Sequence, residues 1–110
     1  MLQADLKISL SDAKEILQSS GKKFIELFGH GSLLVELYKP YKVDRQQPHF
    51  RDEIYVIVSG RGMYFCDGQT VSFEKGDFLF APAGVKHRFE DFSDDFLTWV
   101  IFYGPEGGEK

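Results

Sequence analysis

PHFRDEIYVIVSG, residues 48–60, sets His49 and Glu53 just ahead of Ile54-Tyr55-Val56-Ile57-Val58, a run that decides the local structure. On a helix, side chains four positions apart share a face and can grip one ion together. The run from Ile54 argues against a helix, because β-branched and aromatic side chains lose rotamer freedom there and fit a pleated surface. On one continuous strand the two residues would face the same way, yet lie roughly 13 Å apart at about 3.3 Å per residue. Either they are unrelated or the chain folds back between them. If Glu53 points inward, alternation sends Tyr55 and Ile57 inward with it, and Ile54, Val56 and Val58 outward.

Working outward, the pattern stays that of strands. Before the opening stretch come Lys23 to Phe28, a Gly29-His30-Gly31 tip, and Ser32 to Tyr38, closed by Pro40. After it come Met63 to Cys66, Gln69 to Phe73, Asp77 to Ala81, His87 to Phe89 and Phe96 to Tyr103. Asp67-Gly68 is a strong hairpin signal, since both central residues of a type I′ turn need φ > 0. Pro82-Ala83-Gly84 marks another turn, with proline pre-setting φ. Ahead of all these, Ser11 suits an N-cap, Asp12 suits the positive end of a helix, and Ala13, Ile16 and Leu17 recur at helical spacing until Gly21. Short strands punctuated by turns, after one short helix, read as an all-β sandwich or barrel.

The last strand carries a second message. Phe96, Thr98, Val100 and Phe102 lie on one face, Leu97, Trp99, Ile101 and Tyr103 on the other, so both faces are apolar. The N-terminal helix can cover part of the outside, and a second subunit, making a homodimer, is the economical cover for the rest. The segment 104–110 has nothing to bury and is expected to be mobile. The expected layout is one domain over 1–110: a helix region at 1–22, the β structure at 23–103 and the tail at 104–110.

Composition bounds the partners. The chain has 110 residues, 43% hydrophobic and 15% aromatic, with eleven Phe, enough for one core-rich domain and too few for two. Thirteen Lys and Arg against 17 Asp and Glu give a net charge of −4, and the basic residues form no stripe, which argues against nucleic acid. The single cysteine, Cys66, forms no internal disulfide, so a reducing cytoplasm is expected. No long apolar run points to a membrane.

A second segment, GDFLFAPAGVKHRFED at residues 76–91, gives His49 and Glu53 their weight. Gly76, Pro82, Gly84 and His87, with Asp91 in place of Asn, resemble the second signature of the cupin superfamily, G-x5-P-x-G-x2-H-x3-N. Upstream, His49, Glu53 and Gly60 resemble the later part of the first signature, G-x5-H-x-H-x3–4-E-x6-G, with Gln47 in place of its first histidine and Tyr41 in place of its first glycine. Two half-motifs in the right order support one fold together. The resemblance implies a small single-domain cupin, a double-stranded β-helix or jelly-roll barrel with a short N-terminal helix. It also implies a reversal at Phe50-Arg51-Asp52, which would let His49 and Glu53 face each other while His87 arrives from the second motif.

Two imidazoles and a carboxylate suit a divalent transition metal such as Fe, Mn, Ni, Zn or Cu, and a buried carboxylate needs a positive partner. The implied metal ligands are His49, Glu53 and His87, with Gln47 as a fourth ligand or a neighbour of the site. Tyr55, on the inward face, is a candidate to orient a substrate, although a core tyrosine is more often packing. His30 reads as an exposed turn residue, Cys66 as a small buried hydrophobe, and Arg45, Arg51 and Arg88 as solvated strand-end charges. Three functions fit: a metal enzyme acting on a small molecule by dioxygenase-, isomerase- or lyase-type chemistry, a non-catalytic metal or small-molecule binding module, or a metal-free epimerase-like protein with His87 or His49 as base.

Overall fold

The computed structural model describes residues 6–44 and 48–110. One helix, α1 (Leu10–Ser20), is followed by eight strands among the described residues: β1 (Phe24–His30), β2 (Leu33–Tyr38), β3 (Asp52–Ser59), β4 (Arg61–Cys66), β5 (Gln69–Glu74), β6 (Phe78–Ala81), β7 (His87–Glu90) and β8 (Leu97–Tyr103). The helix is capped by Ser9, not Ser11: Ser9 is extended and its hydroxyl accepts from the Asp12 amide at 3.1 Å, so the helix starts two residues earlier than expected, at Leu10. Gly21 ends it in the left-handed conformation. No helix among the described residues is long and apolar enough to cross a membrane.

The expected closed jelly-roll barrel is not what the strands form. They pair into two separate open sheets, β1-β2-β8-β3-β6 and β5-β4-β7. β1 and β6 are the free edges of the larger sheet, and β6 and β7 are only four residues long. Pro82, which has no amide hydrogen to give to a ladder, follows β6 directly. Side chains hold the layers together instead. Phe89 packs on Tyr55, Tyr64, Phe73 and Phe96 with ring centroids 4.7–5.4 Å apart, and the Tyr64 hydroxyl on β4 donates to the Phe80 carbonyl on β6 at 3.0 Å. Such edge-on aromatic contacts add to the burial of the rings themselves.

The passage from one sheet to the other runs through Gly60. Its φ is +87°, and a Cβ built there would lie 2.5 Å from the Phe96 Cα, so only glycine fits the corner between β3 and β4. The Asp67-Gly68 hairpin has φ of +51° and +81°, as the type I′ reading requires.

Outside the larger sheet, Ala13 and Leu17 of α1 pack on Leu27, Leu37 and Leu97, forming a second core. A bulge between Glu26 and Phe28 brings Phe28 opposite Val35 on this outer side, where the two line an apolar groove with Val56, Trp99 and Ile101. The terminal segment, expected to be mobile, is tied down: the amides of Gly104, Gly107 and Glu109 donate to the Ser32 hydroxyl, the Phe50 carbonyl and the Asp52 carboxylate at 3.1, 2.7 and 2.9 Å.

Candidate metal centre

The first motif folds back because the second holds it. The Gly84 amide donates to the His49 carbonyl at 2.6 Å, and the Ala83 amide donates to Asp52 Oδ1 at 2.9 Å, so the Pro82-Ala83-Gly84 turn clamps both ends of the bend at Phe50 and Arg51. The two amides beside Asp52, from Glu109 and Ala83, hold its carboxyl below the usual range. Chain reversal thus replaces the strand-length separation of His49 and Glu53 with a contact. His49 Nε2 and Glu53 Oε2 are 3.8 Å apart.

His87 comes from the other sheet, at the start of β7. Its Nε2 lies 3.0 Å from Glu53 Oε1, and one candidate ligand atom from each of His49, Glu53 and His87 lies within 4.8 Å of the others. Close approach is not the same as bonding. Both Glu53 oxygens and His87 Nε2 are buried without a hydrogen bond, so the short contact lacks the alignment of a donor aimed at an acceptor. Burying a carboxylate and an imidazole nitrogen in this way is costly unless something completes them. His87 Nδ1 meets the Val85 carbonyl at 2.9 Å. With the proton on Nδ1, the Nε2 lone pair is left facing the cluster, as a metal-binding histidine requires.

The cluster opens onto a cleft of about 700 Å³ whose wall includes His49, Glu53, Glu36, Tyr38, Val100 and Phe102. Burial lowers the tendency of His87 to hold a proton, but Glu53, the Val85 carbonyl and Asp44 outweigh it, leaving its pKa above the ordinary value. Glu36 is pushed up to about 7, first by burial and then by the charges of Glu26 and Glu53. A raised carboxyl pKa means that the folded chain binds this proton more tightly than the unfolded chain. The resulting stability is complete below the ordinary value of 4.5 and is lost as pH rises through about 7. Glu36→Gln is therefore expected to be more stable than the parent at pH 8, by on the order of 1 kcal/mol after solvent screening, and equal to it at pH 4. Chemical denaturation at the two pH values checks this, and equal stability at both would contradict it.

The other residues singled out from the sequence divide clearly. Tyr55 is fully buried in the core, its ring centroid 6.2 Å from that of His87. His30 is exposed at the end of β1, and Cys66 is half-buried against the core. Arg51 donates to the Ser32 carbonyl, and Arg88 pairs with Glu90 at 2.8 Å and stacks on Phe65. Gln47 and Arg45 lie outside the described residues. Sequence reasoning missed Asp44, which accepts from the Phe89 amide at 2.7 Å and the Tyr38 hydroxyl at 2.6 Å and so ties the loop before the first motif to β7. It also missed Asp52, a buried acid beside Glu53 whose partners lie 31 and 57 residues away in the chain.

The Cupin domain family model matches residues 34–103. An uncharacterized protein from Streptomyces coelicolor is 40% identical over 63 residues, spanning 57% of this chain and 60% of that protein. An acireductone dioxygenase from Bacillus licheniformis is 30% identical over a 114-residue alignment, spanning 96% of this chain and 63% of the enzyme. The chain thus spans less than two thirds of the length of either curated relative. Among solved structures, a cupin-2 domain containing protein from Shewanella frigidimarina superposes with a TM-score of 0.68 at 14% identity, over 88% of this chain and 94% of that one. At that identity the likeness speaks for the fold alone.

Proposed function

The chain belongs to the cupin family, and from that premise we propose that it holds one divalent transition metal at His49, Glu53 and His87 and acts on a small molecule in the adjoining cleft. The observation that carries this reading is the set of three buried atoms, Glu53 Oε1, Glu53 Oε2 and His87 Nε2, which lie together without hydrogen bonds. Two imidazoles and a carboxylate fit Fe, Mn, Ni, Zn or Cu, and an ion would satisfy the buried Glu53 oxygens, which His87 Nε2 approaches at 3.0 Å without an aligned hydrogen bond. A bound ion of this kind would supply Lewis acidity, polarising a carbonyl of the substrate.

The protein's own part is to fix the donors and shape the approach. Gly84 holds the His49 backbone, Val85 sets the His87 ring, and the edge of the Phe102 ring system packs 5.1 Å from His49, centroid to centroid. The cleft reaches His49 and Glu53 directly, which favours access for a substrate over a closed structural site. Among dioxygenase-, isomerase- and lyase-type reactions, the likeness to the Bacillus enzyme across nearly the whole chain favours the first. Gln47, two residues before His49, is part of the proposal as a fourth ligand or a neighbour of the site. Elemental analysis of protein carrying no His-tag is expected to find about one equivalent of a transition metal per chain, and metal-free protein that takes up none on titration would contradict the reading.

A homodimer belongs to the same proposal. The apolar groove of about 390 Å³ outside the larger sheet, with Trp99 and Ile101 in its wall, is the surface that a second copy would cover. Sedimentation should give twice the mass of the 12.6 kDa chain, and a monomer at all concentrations would remove this part.

A further inference from the structure

The wall of the cleft contains two carboxyls that the metal reading leaves without a role. Glu26 on β1 and Glu36 on β2 are directly opposed in the antiparallel register, and both line the cleft with His49 and Glu53. Like charges at directly opposed positions destabilise a sheet. Apolar residues surround Glu36 on its own strand, Leu34 and Val35 before it and Leu37 after it. Among the described residues no ion pair relieves either glutamate. The repulsion is relieved when one of the two carboxyls is protonated, and the half-buried Glu36 is a better holder of the proton than the exposed Glu26, because burial disfavours the charged form. The same cleft is lined by Glu53, 1% exposed with both oxygens lacking a hydrogen bond, which a bound ligand would satisfy.

We propose that Glu36 is a substrate-contacting residue of the cleft, favoured as a neutral acid by its burial and by the opposed Glu26, and donating a hydrogen bond to an acceptor oxygen of the molecule held beside His49, Glu53 and His87. The inference rests on the reading of those three residues as the point where the molecule is held. It narrows the substrate class to molecules that present a carbonyl, carboxylate or enolate oxygen toward β2, and it disfavours an ammonium group there. The titratable groups that line the cleft with Glu36 are Glu26, opposed to it, and Tyr38, His49, Glu53, Lys22 and Lys23. The two lysines favour the ionised form, while burial, Glu26 and Glu53 favour the acid and push its pKa up to about 7. From β8 the cleft receives only Val100 and Phe102, which offer no competing donor.

Carbon-13 NMR of protein labelled at glutamate side-chain carboxyls tests the protonation, with the Glu36 signal assigned by its loss in Glu36→Gln. The expected midpoint lies near neutral pH and falls by about one pH unit in Glu26→Gln, whereas a midpoint in the ordinary range near 4.3 would overturn the inference. Contact is tested with acetohydroxamate, an oxygen-donor probe, on nickel-loaded protein. Binding should weaken by about fivefold to tenfold in Glu36→Ala and be largely retained in Glu36→Gln, whose amide N–H can replace the donor. Equal affinity in all three proteins would overturn the contact. Failure to bind nickel at all would sink the metal reading instead, while the NMR midpoint would still decide the state of Glu36.

Discussion

His87→Ala is expected to bind transition metal at least about a hundredfold more weakly than the parent and to lose the rise in melting temperature that metal confers. The substitution removes the one ligand that the smaller sheet supplies, leaving Glu53 with His49 alone at 3.8 Å. An ion held only by the folded state at a hundred times its dissociation constant stabilises by about 2.7 kcal/mol. For a domain of this size that corresponds to roughly 10 °C in melting temperature. Chelation should therefore lower the melting temperature of the parent by that order and leave His87→Ala unchanged. The variant itself starts lower, because it buries Glu53 beside an empty space. Thermal scans of both proteins, with metal and after chelation, check the difference. If chelation moves both proteins equally, or neither, the metal does not sit at His87.

Gly60→Ala is the second large effect, and it needs no metal. The added methyl meets the Phe96 backbone at 2.5 and 2.8 Å, and the backbone at this corner has a φ of +87° that alanine adopts only with strain. Backbone strain and overpacking each cost about 1–3 kcal/mol, so a loss of roughly 3 kcal/mol or more is expected, a large part of the stability of a domain this small. Phe96 cannot yield cheaply, since its ring packs on Phe73, Phe89 and Phe92. The midpoint of urea unfolding measures the loss. A midpoint within error of the parent would show that the β3 to β4 corner is looser than described.

These two sites show what could be read ahead of the structure. His49, Glu53, Gly60 and His87 came to notice because their order and spacing resemble the two cupin signatures, and it is that resemblance, not the interval alone, that implies the bend between His49 and Glu53. Given an inward Glu53, alternation carries Tyr55 and Ile57 inward with it, and all three are 2% exposed or less. Strand pairing was less accessible. Which strand lies beside which is settled by contacts far apart in the chain, so eight strands looked equally able to close, whereas β6 and β7, only four residues each, end at the edges of two separate sheets. Asp44 and Asp52 escaped for the same reason, since each acts through an amide brought to it from at least 31 residues away. Glu36 was within reach. Its pairing was not: the Gly31-Ser32 turn sets His30 opposite Leu33, and only the bulge between Glu26 and Phe28 brings Glu26 opposite Glu36, but a lone acid among Leu34, Val35 and Leu37 is the kind of conflict that marks a site rather than a core.

Anomalous X-ray diffraction from crystals of metal-loaded protein, collected at the absorption edge of the bound metal, tests the central claim most directly. The account predicts one dominant peak between the two sheets, about 2.0–2.2 Å from a nitrogen of His49, a nitrogen of His87 and an oxygen of Glu53. Peaks found only at surface residues, with Glu53 and His87 closing on each other through an ordinary hydrogen bond, would contradict it.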